Sequence, residues 1–347
     1  MKKKKHWINY KKILIFSAVF LLLGSFLSGC AFLDNINVFK EGKNKEKIIE
    51  NPPGAKRPLV LSTEKSQIVV YYATDDGNYL VPITILINPT KEVVQVAVEK
   101  LLAGPNNDFL KGPIPEGTKL REIYFREGSG TVFIDLTKQF LEMKNKEEVQ
   151  LAVNSLVYTL SEFPNVERFQ IFVEGQLTEG LYDIPLDVIF ERENKVNYIG
   201  DKSAQEEQIT VYYGDGSAMF LVPVSIDGPK EASVVDQAKV ALNQLVKGPP
   251  KKGTLASPLW KGTKIINVSL EEDKKLLIVN FSKEVVGYGG GSALERLLTN
   301  SLIYTLTSLP GVDKVQILIE GQKVDYLPEG TDIYNPLEKT EKLNCSQ

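Results

Sequence analysis

Apolar residues recur along this chain at two spacings, in a fixed order. Short β-branched or alternating runs predict strands over Ile68 to Ala73, Tyr79 to Ile87, Lys119 to Phe125, Thr131 to Asp135 and Phe169 to Glu174. Helical spacing predicts a helix over Lys91 to Leu102, with Val93, Val94, Ala97 and Leu101 on one face. A second helix is predicted over Glu147 to Glu162, with Val149, Val153, Leu156, Val157 and Leu160 as its stripe. Thr90 is placed to cap the first helix and Gly104-Pro105 to stop it; Pro164 ends the second. Asp75-Asp76-Gly77-Asn78 reads as a hairpin turn. Pro82 inside a strand predicts an edge position or a bulge.

The pattern then repeats. Strands are predicted over Ile209 to Tyr213, Phe220 to Ile226, Ile265 to Leu270, Leu276 to Phe281 and Val315 to Glu320, with helices over Ala232 to Lys247 and Ala293 to Ser308. The residues repeat too. Tyr71-Tyr72 and Leu80-Val81-Pro82 return as Tyr212-Tyr213 and Leu221-Val222-Pro223, an offset of 141. Asn154-Ser155-Leu156-Val157-Tyr158-Thr159-Leu160 returns as Asn300-Ser301-Leu302-Ile303-Tyr304-Thr305-Leu306, an offset of 146. A repeat of about 145 residues is domain-sized and can close its own core. The expectation is an α+β protein of two tandem copies, each β-β-α-β-β-α-β, with one mixed sheet and two helices on one face. The other sheet face is then a candidate partner surface. The expected domains are 64–191 and 208–337, joined by a polar linker over 192–207 and followed by a disordered tail over 338–347.

The first 29 residues read as a leader. Six lysines precede an apolar run from Ile13 to Leu23, and Leu27-Ser28-Gly29-Cys30 follows. This is a secretory signal with a lipobox, so Cys30 is the expected lipidation site and new N-terminus after cleavage. An uncleaved spanning helix is the alternative, since residues 13 to 29 come near the ~17-residue lower limit. Residues 30–63 read as a flexible tether broken by Asn51-Pro52-Pro53-Gly54. Removing the six leader lysines from 41 basic residues leaves 35 against 44 acidic ones, a formal charge of −9. Such a chain offers no uniformly basic surface for nucleic acid.

Residue counts exclude several chemistries. The sole histidine is His6, in the leader. The mature chain therefore lacks histidine-activated nucleophiles, histidine metal ligands and a histidine pH switch. Cys345 is left without an intrachain partner once Cys30 is lipidated. Gly289-Gly290-Gly291-Ser292 lacks dinucleotide-binding spacing and reads as a loop closing on a serine cap. No cofactor, metal or catalytic residue is expected.

Four features invite function and also have plainer readings. The tyrosine pairs suit sugar stacking or partner anchoring, but one ring of each pair points inward along a strand, so core or edge packing is favoured. Glu174-Gly175-Gln176 and Glu320-Gly321-Gln322 read as strand-ending turns. Asp135 and Glu174 are the acids available for glycosidase-like chemistry, yet the counterpart of Asp135 is Asn280. Asp75-Asp76-Gly77-Asn78 echoes a calcium loop without its spacing or terminal glutamate.

Taken in order, these motifs carry a resemblance. The Tyr-Tyr strand, the Leu-Val-Pro strand, the helices ended by Gly104-Pro105 and Gly248-Pro249, and the turns Glu116-Gly117-Thr118 and Lys261-Gly262-Thr263 are similar to those of the GerMN domain. The Asn-Ser-Leu helix and the Glu-Gly-Gln turn complete the set. The resemblance covers about residues 64 to 336 and is carried by motif order rather than by any single motif. It implies a fold similar to the ring-building domains of secretion systems. It also implies a lipoprotein of endospore-forming bacteria on the mother-cell membrane, facing the forespore intermembrane space. Its partners would be envelope or channel ring proteins, with peptidoglycan binding or cortex hydrolysis as the alternative.

Overall fold

The structure is a computed structural model that describes residues 65–193, 195–200, 207–287, 289–340 and 342–346. Cys30, the leader and the tether lie outside the described residues. Both copies belong to one compact unit spanning Glu46–Gln347.

In the first copy, β1 (Lys65–Thr74) and β2 (Leu80–Thr90) form an antiparallel hairpin. Gly77 turns it at a left-handed φ of 71°. Helix α1 (Val93–Ala103) follows. Thr90 does not cap it; the Thr90 hydroxyl accepts the amide of Glu92, the residue just before the helix, and the helix starts at Val93 rather than at Lys91. A two-residue strand, β3 (Leu110–Lys111), then pairs with the far end of β1. Strands β4 (Leu120–Arg126) and β5 (Thr131–Leu136) make the second hairpin. Helix α2 (Lys146–Ser161) is capped by Asn145, whose side chain accepts the Glu148 amide. Strand β6 (Arg168–Val173) lies parallel to β5. The short strands β7 (Gly180–Leu181), β8 (Ile184–Pro185) and β9 (Phe190–Glu191) close the copy, with β9 on the free edge of β6.

The second copy repeats this order: β10 (Glu207–Gly214), β11 (Leu221–Gly228), α3 (Val234–Lys247), β12 (Ile265–Glu271), β13 (Leu276–Phe281), α4 (Ser292–Leu306) and β14 (Lys314–Ile319). Ser233 caps α3 through the Asp236 amide. At α4 the cap residue is Gly291 at φ 99°, and Ser292 is already helical, one residue off the expected serine cap.

The α+β class and the element order hold in both copies, but the strands of a copy do not join into one sheet. The hairpin stands apart from the four-stranded sheet in each case, β4-β5-β6-β9 in the first copy and β12-β13-β14 with a short fourth strand in the second. The reason lies on the outer edge of β1. Its Tyr71 amide donates to the Thr159 hydroxyl on α2 (3.0 Å), and Ala73 and Thr74 pair with β3. The Tyr212 amide of β10 donates to Thr305 of α4 in the same way (3.0 Å). With these edges taken, the helices pack against the hairpin on one side and the second sheet on the other: α1 touches β1 and β4, and α3 touches β10 and β12.

The tail departs from its expected disorder. β15 (Leu337–Glu338) pairs with β14, and β16 (Cys345–Ser346) pairs parallel to β2 of the first copy. The polar linker is held where it is described: Val196, Asn197 and Ile199 bond to the strands of both copies. One cluster of buried side chains runs through both halves, from Val70, Phe140 and Phe169 to Tyr213, Leu242 and Phe281.

Candidate functional site: repeated turns and the seam between the copies

The nominated acids are committed to the backbone. Asp135, on β5, accepts the Gly175 amide (2.8 Å) and an Arg121 N–H (2.6 Å). Glu174 accepts the Lys138 amide (2.9 Å) and lies 3.6 Å from Arg121. In the second copy Asn280 accepts the Gly321 amide (2.8 Å) and Glu320 accepts the Lys283 amide (2.8 Å). An amide oxygen thus makes the same bond as the carboxylate, so the shared demand is a hydrogen-bond acceptor and not an ionisable acid. Glu174 and Glu320 sit at left-handed φ of 52° and 50°, each followed by a left-handed glycine, which makes the strand-ending turn.

The tyrosine pairs are built into the packing. Tyr71, Tyr72 and Tyr213 are buried, and Tyr212 is partly so. Tyr72 donates to the Lys100 carbonyl (2.8 Å) near the end of α1. Tyr213 donates to the Gly248 carbonyl (3.0 Å) just past α3. Tyr71 stands beside Tyr158, and Tyr212 beside Tyr304, at ring distances of 5.4 and 5.6 Å. Burial pushes Tyr72, Tyr212 and Tyr213 up to about 12. Tyr71 is also raised, by burial and then by Glu162, to which its hydroxyl donates (2.9 Å).

The first copy carries a partly buried aromatic cluster on the outer face of its second sheet that strand alternation alone did not single out. Tyr124 stacks on Phe133 at 4.5 Å, Phe172 lies 6.2 Å beyond, and Arg126 covers Phe133 at 5.0 Å. A shallow pocket beside it is lined by Arg121, Asp135 and Gly175. The repeat offset places Ser269, Ile278 and Leu318 at the matching positions of the second copy, so this face is not shared.

The copies meet along a seam. Asp76, in the β1–β2 turn, accepts the Thr254 amide (2.7 Å) and hydroxyl (3.1 Å) from the second copy. Tyr79 donates to the Lys252 carbonyl (2.5 Å). Burial pushes the Asp76 carboxyl up, but donors from Thr74, Asn78 and Thr254 outweigh it and hold the group near about 2. The turn is therefore a docking contact with its acceptors filled, not a calcium loop.

Two asparagines join the copies further, and neither stood out in sequence. Asn197 accepts the Leu80 amide (2.8 Å) and donates to the Leu80 and Pro223 carbonyls (2.7 Å each). Asn344 accepts the Leu221 amide (2.8 Å) and donates to the Leu221 carbonyl (2.7 Å) and the Pro82 carbonyl (2.9 Å). The Leu-Val-Pro motif is thus the socket of these side chains. The available signal was Lys195-Val196-Asn197 returning as Lys342-Leu343-Asn344, an offset of 147.

Among the described residues no group of three or more His, Cys, Asp and Glu could hold a metal ion. No described helix is long and apolar enough to cross a membrane. Cys345 is an exposed free thiol.

Comparison with known proteins agrees with the doubled architecture. The curated spore germination protein GerM of Bacillus subtilis (strain 168) is 23% identical over 290 residues, covering 79% of this chain and 77% of that protein. The solved tandem GerMN domains of B. subtilis GerM cover 81% of this chain and all of theirs, at 20% identity and a TM-score of 0.58. The first GerMN domain of that protein, solved alone, covers 38% of this chain at 28% identity and a TM-score of 0.33. The model of the Germane family, described as sporulation and spore germination, matches residues 69–179 and again 210–325. Those two matches span more than half of the sequence, and the chain belongs to the Germane family of sporulation and spore germination proteins.

Proposed function

We propose that this chain is a non-enzymatic lipoprotein that supports the assembly or stability of a trans-envelope ring or channel complex during sporulation. It is held through Cys30 on the mother-cell membrane, facing the forespore intermembrane space. The observation that carries the reading is the exchange of Asp135 for Asn280 at one bond made in both copies. Chemistry that moves protons needs an ionisable group at a fixed place, whereas a turn needs only an acceptor. The repeated polar residues hold the copies together and leave their outward faces free to differ. The family membership and the lipobox at Cys30 support the cellular setting.

The test uses the full chain in sporulating cells. Cys30→Ala is expected to leave the protein unanchored, and capture on the wild-type chain is expected to recover envelope proteins whose complex fails without it. The reading is wrong if those complexes assemble normally in its absence. It is also wrong if the pure protein clears purified cortex and Glu174→Gln or Glu320→Gln abolishes that clearing. Retention on insoluble peptidoglycan, with no protein partner captured, would favour a wall-binding module instead.

A further inference from the structure

We infer that Asn197 and Asn344 are positioning residues that fix the two copies in one relative placement, each by tying the arm that follows one copy to the strand edge of the other. The two arms are equivalent. Both asparagines adopt left-handed backbone, at φ 52° and 51°. Asparagine tolerates this conformation better than other residues with a side chain. Each side chain grips the backbone of a leucine in its own copy, Leu80 or Leu221, and places its remaining N–H on the proline carbonyl of the other copy, Pro223 or Pro82.

The arm backbones cross in the same sense. Val196 accepts the Ser225 amide (2.9 Å) and Ile199 donates to the Ser225 carbonyl (3.1 Å), so the first arm lines β11 of the second copy. Leu343 accepts the Thr84 amide (3.3 Å) and the Thr84 hydroxyl (2.7 Å), so the second arm lines β2 of the first copy. Thr84 and Ser225 are themselves one repeat apart. The Tyr198 hydroxyl adds a bond to Asp227 of the second copy. β2 and β11 otherwise end in unpaired edges, which in a lone domain invite foreign strands. Here each edge is covered by the other copy's arm. The seam is a reciprocal tie, and losing either asparagine loosens contacts to both copies.

Asn→Gly substitutions test this, because glycine keeps the left-handed backbone and removes only the clamp. The readout is amide hydrogen exchange of the full chain, carrying Cys30→Ser and held in detergent. Asn197→Gly is expected to speed exchange at Ser225 at least tenfold, and Asn344→Gly at Thr84, each in the copy that does not carry the substitution's own leucine. The double variant is expected to unfold in two transitions where the parent unfolds in one. Should the changes stay within Leu80 or Leu221, or should the double variant unfold in one unshifted transition, the inference fails. If the double variant does not fold, a nitroxide on Cys345 decides. Its motion is expected to be more restricted in the parent, where the Cys345 backbone pairs with β2, than in Asn344→Gly; equal mobility in both overturns the tie. None of these readouts involves an envelope partner, so they stand or fall apart from the proposed function.

Discussion

Asp135 and Asn280 show what a single residue position demands here. Both accept the amide of the glycine after a left-handed glutamate, and only one of them can ionise. Asp135→Asn should therefore be tolerated within about 1 kcal/mol, the part lost being its partly exposed pair with Arg121. Asp135→Ala leaves the Gly175 amide without its acceptor and should cost roughly 1–2 kcal/mol in denaturant unfolding. Asp76 provides a pH test. Its carboxyl is held near about 2, below its ordinary value of 3.8. A depressed acid contributes stability that is complete above the unfolded value and lost as pH falls through the folded one. The seam should accordingly weaken between about pH 4 and pH 2, and Asp76→Asn should flatten that part of the stability curve. Residues of this kind were half legible. Asp135 drew notice as an acid, and its mismatch with Asn280 already pointed away from catalysis. Asn197 and Asn344 drew none, because in a stretch without periodicity an asparagine reads as loop, and only the spacing between the two arms distinguishes them.

At the scale of elements, the Asn-Ser-Leu-x-Tyr-Thr-Leu helix is a docking device. Its threonine hydroxyl takes the outward amide of Tyr71 or Tyr212 on the first strand, and its own tyrosine stands against the ring of that same residue. Thr159 and Thr305 are fully buried. Thr159→Val keeps the shape and leaves the Tyr71 amide unpaired, so it should destabilise by about 1–3 kcal/mol. Thr305→Val should do the same for Tyr212, and amide exchange at those two tyrosines would register the loss. Among the described residues, the long strands and the four α-helices could be read from spacing because each repeats its period several times. The short strands β3, β9, β15 and β16 could not, since two residues carry no period. The division of each copy into two sheets was also hidden. Alternation tells which residues face inward, but it does not tell which strand edge is satisfied by a neighbouring strand and which by a helix hydroxyl.

At the scale of the whole molecule, each copy is large enough to close its own core, and the structure nevertheless runs one continuous core through both and adds a seam of polar ties. The packing of that seam can be tested apart from its hydrogen bonds. Gly253, in the loop that meets the β1–β2 turn, has φ 85°, and a methyl group there would lie 2.7 Å from the Tyr79 ring and 2.8 Å from the Asp76 carboxylate. Gly77, inside that turn, has a similar φ of 71° with open space around it. Alanine at either glycine incurs the same left-handed strain, on the order of 1–2 kcal/mol. Only Gly253→Ala also forces Tyr79 and Asp76 away from Lys252 and Thr254, which overpacking costs commonly place at about 1–3 kcal/mol more. The difference between the two variants in denaturant unfolding therefore isolates the docking of one copy on the other. Gly253→Ala should be clearly the less stable and should lose the acid dependence assigned to Asp76. Equal destabilisation by the two substitutions would mean that the copies do not bear on each other at this loop.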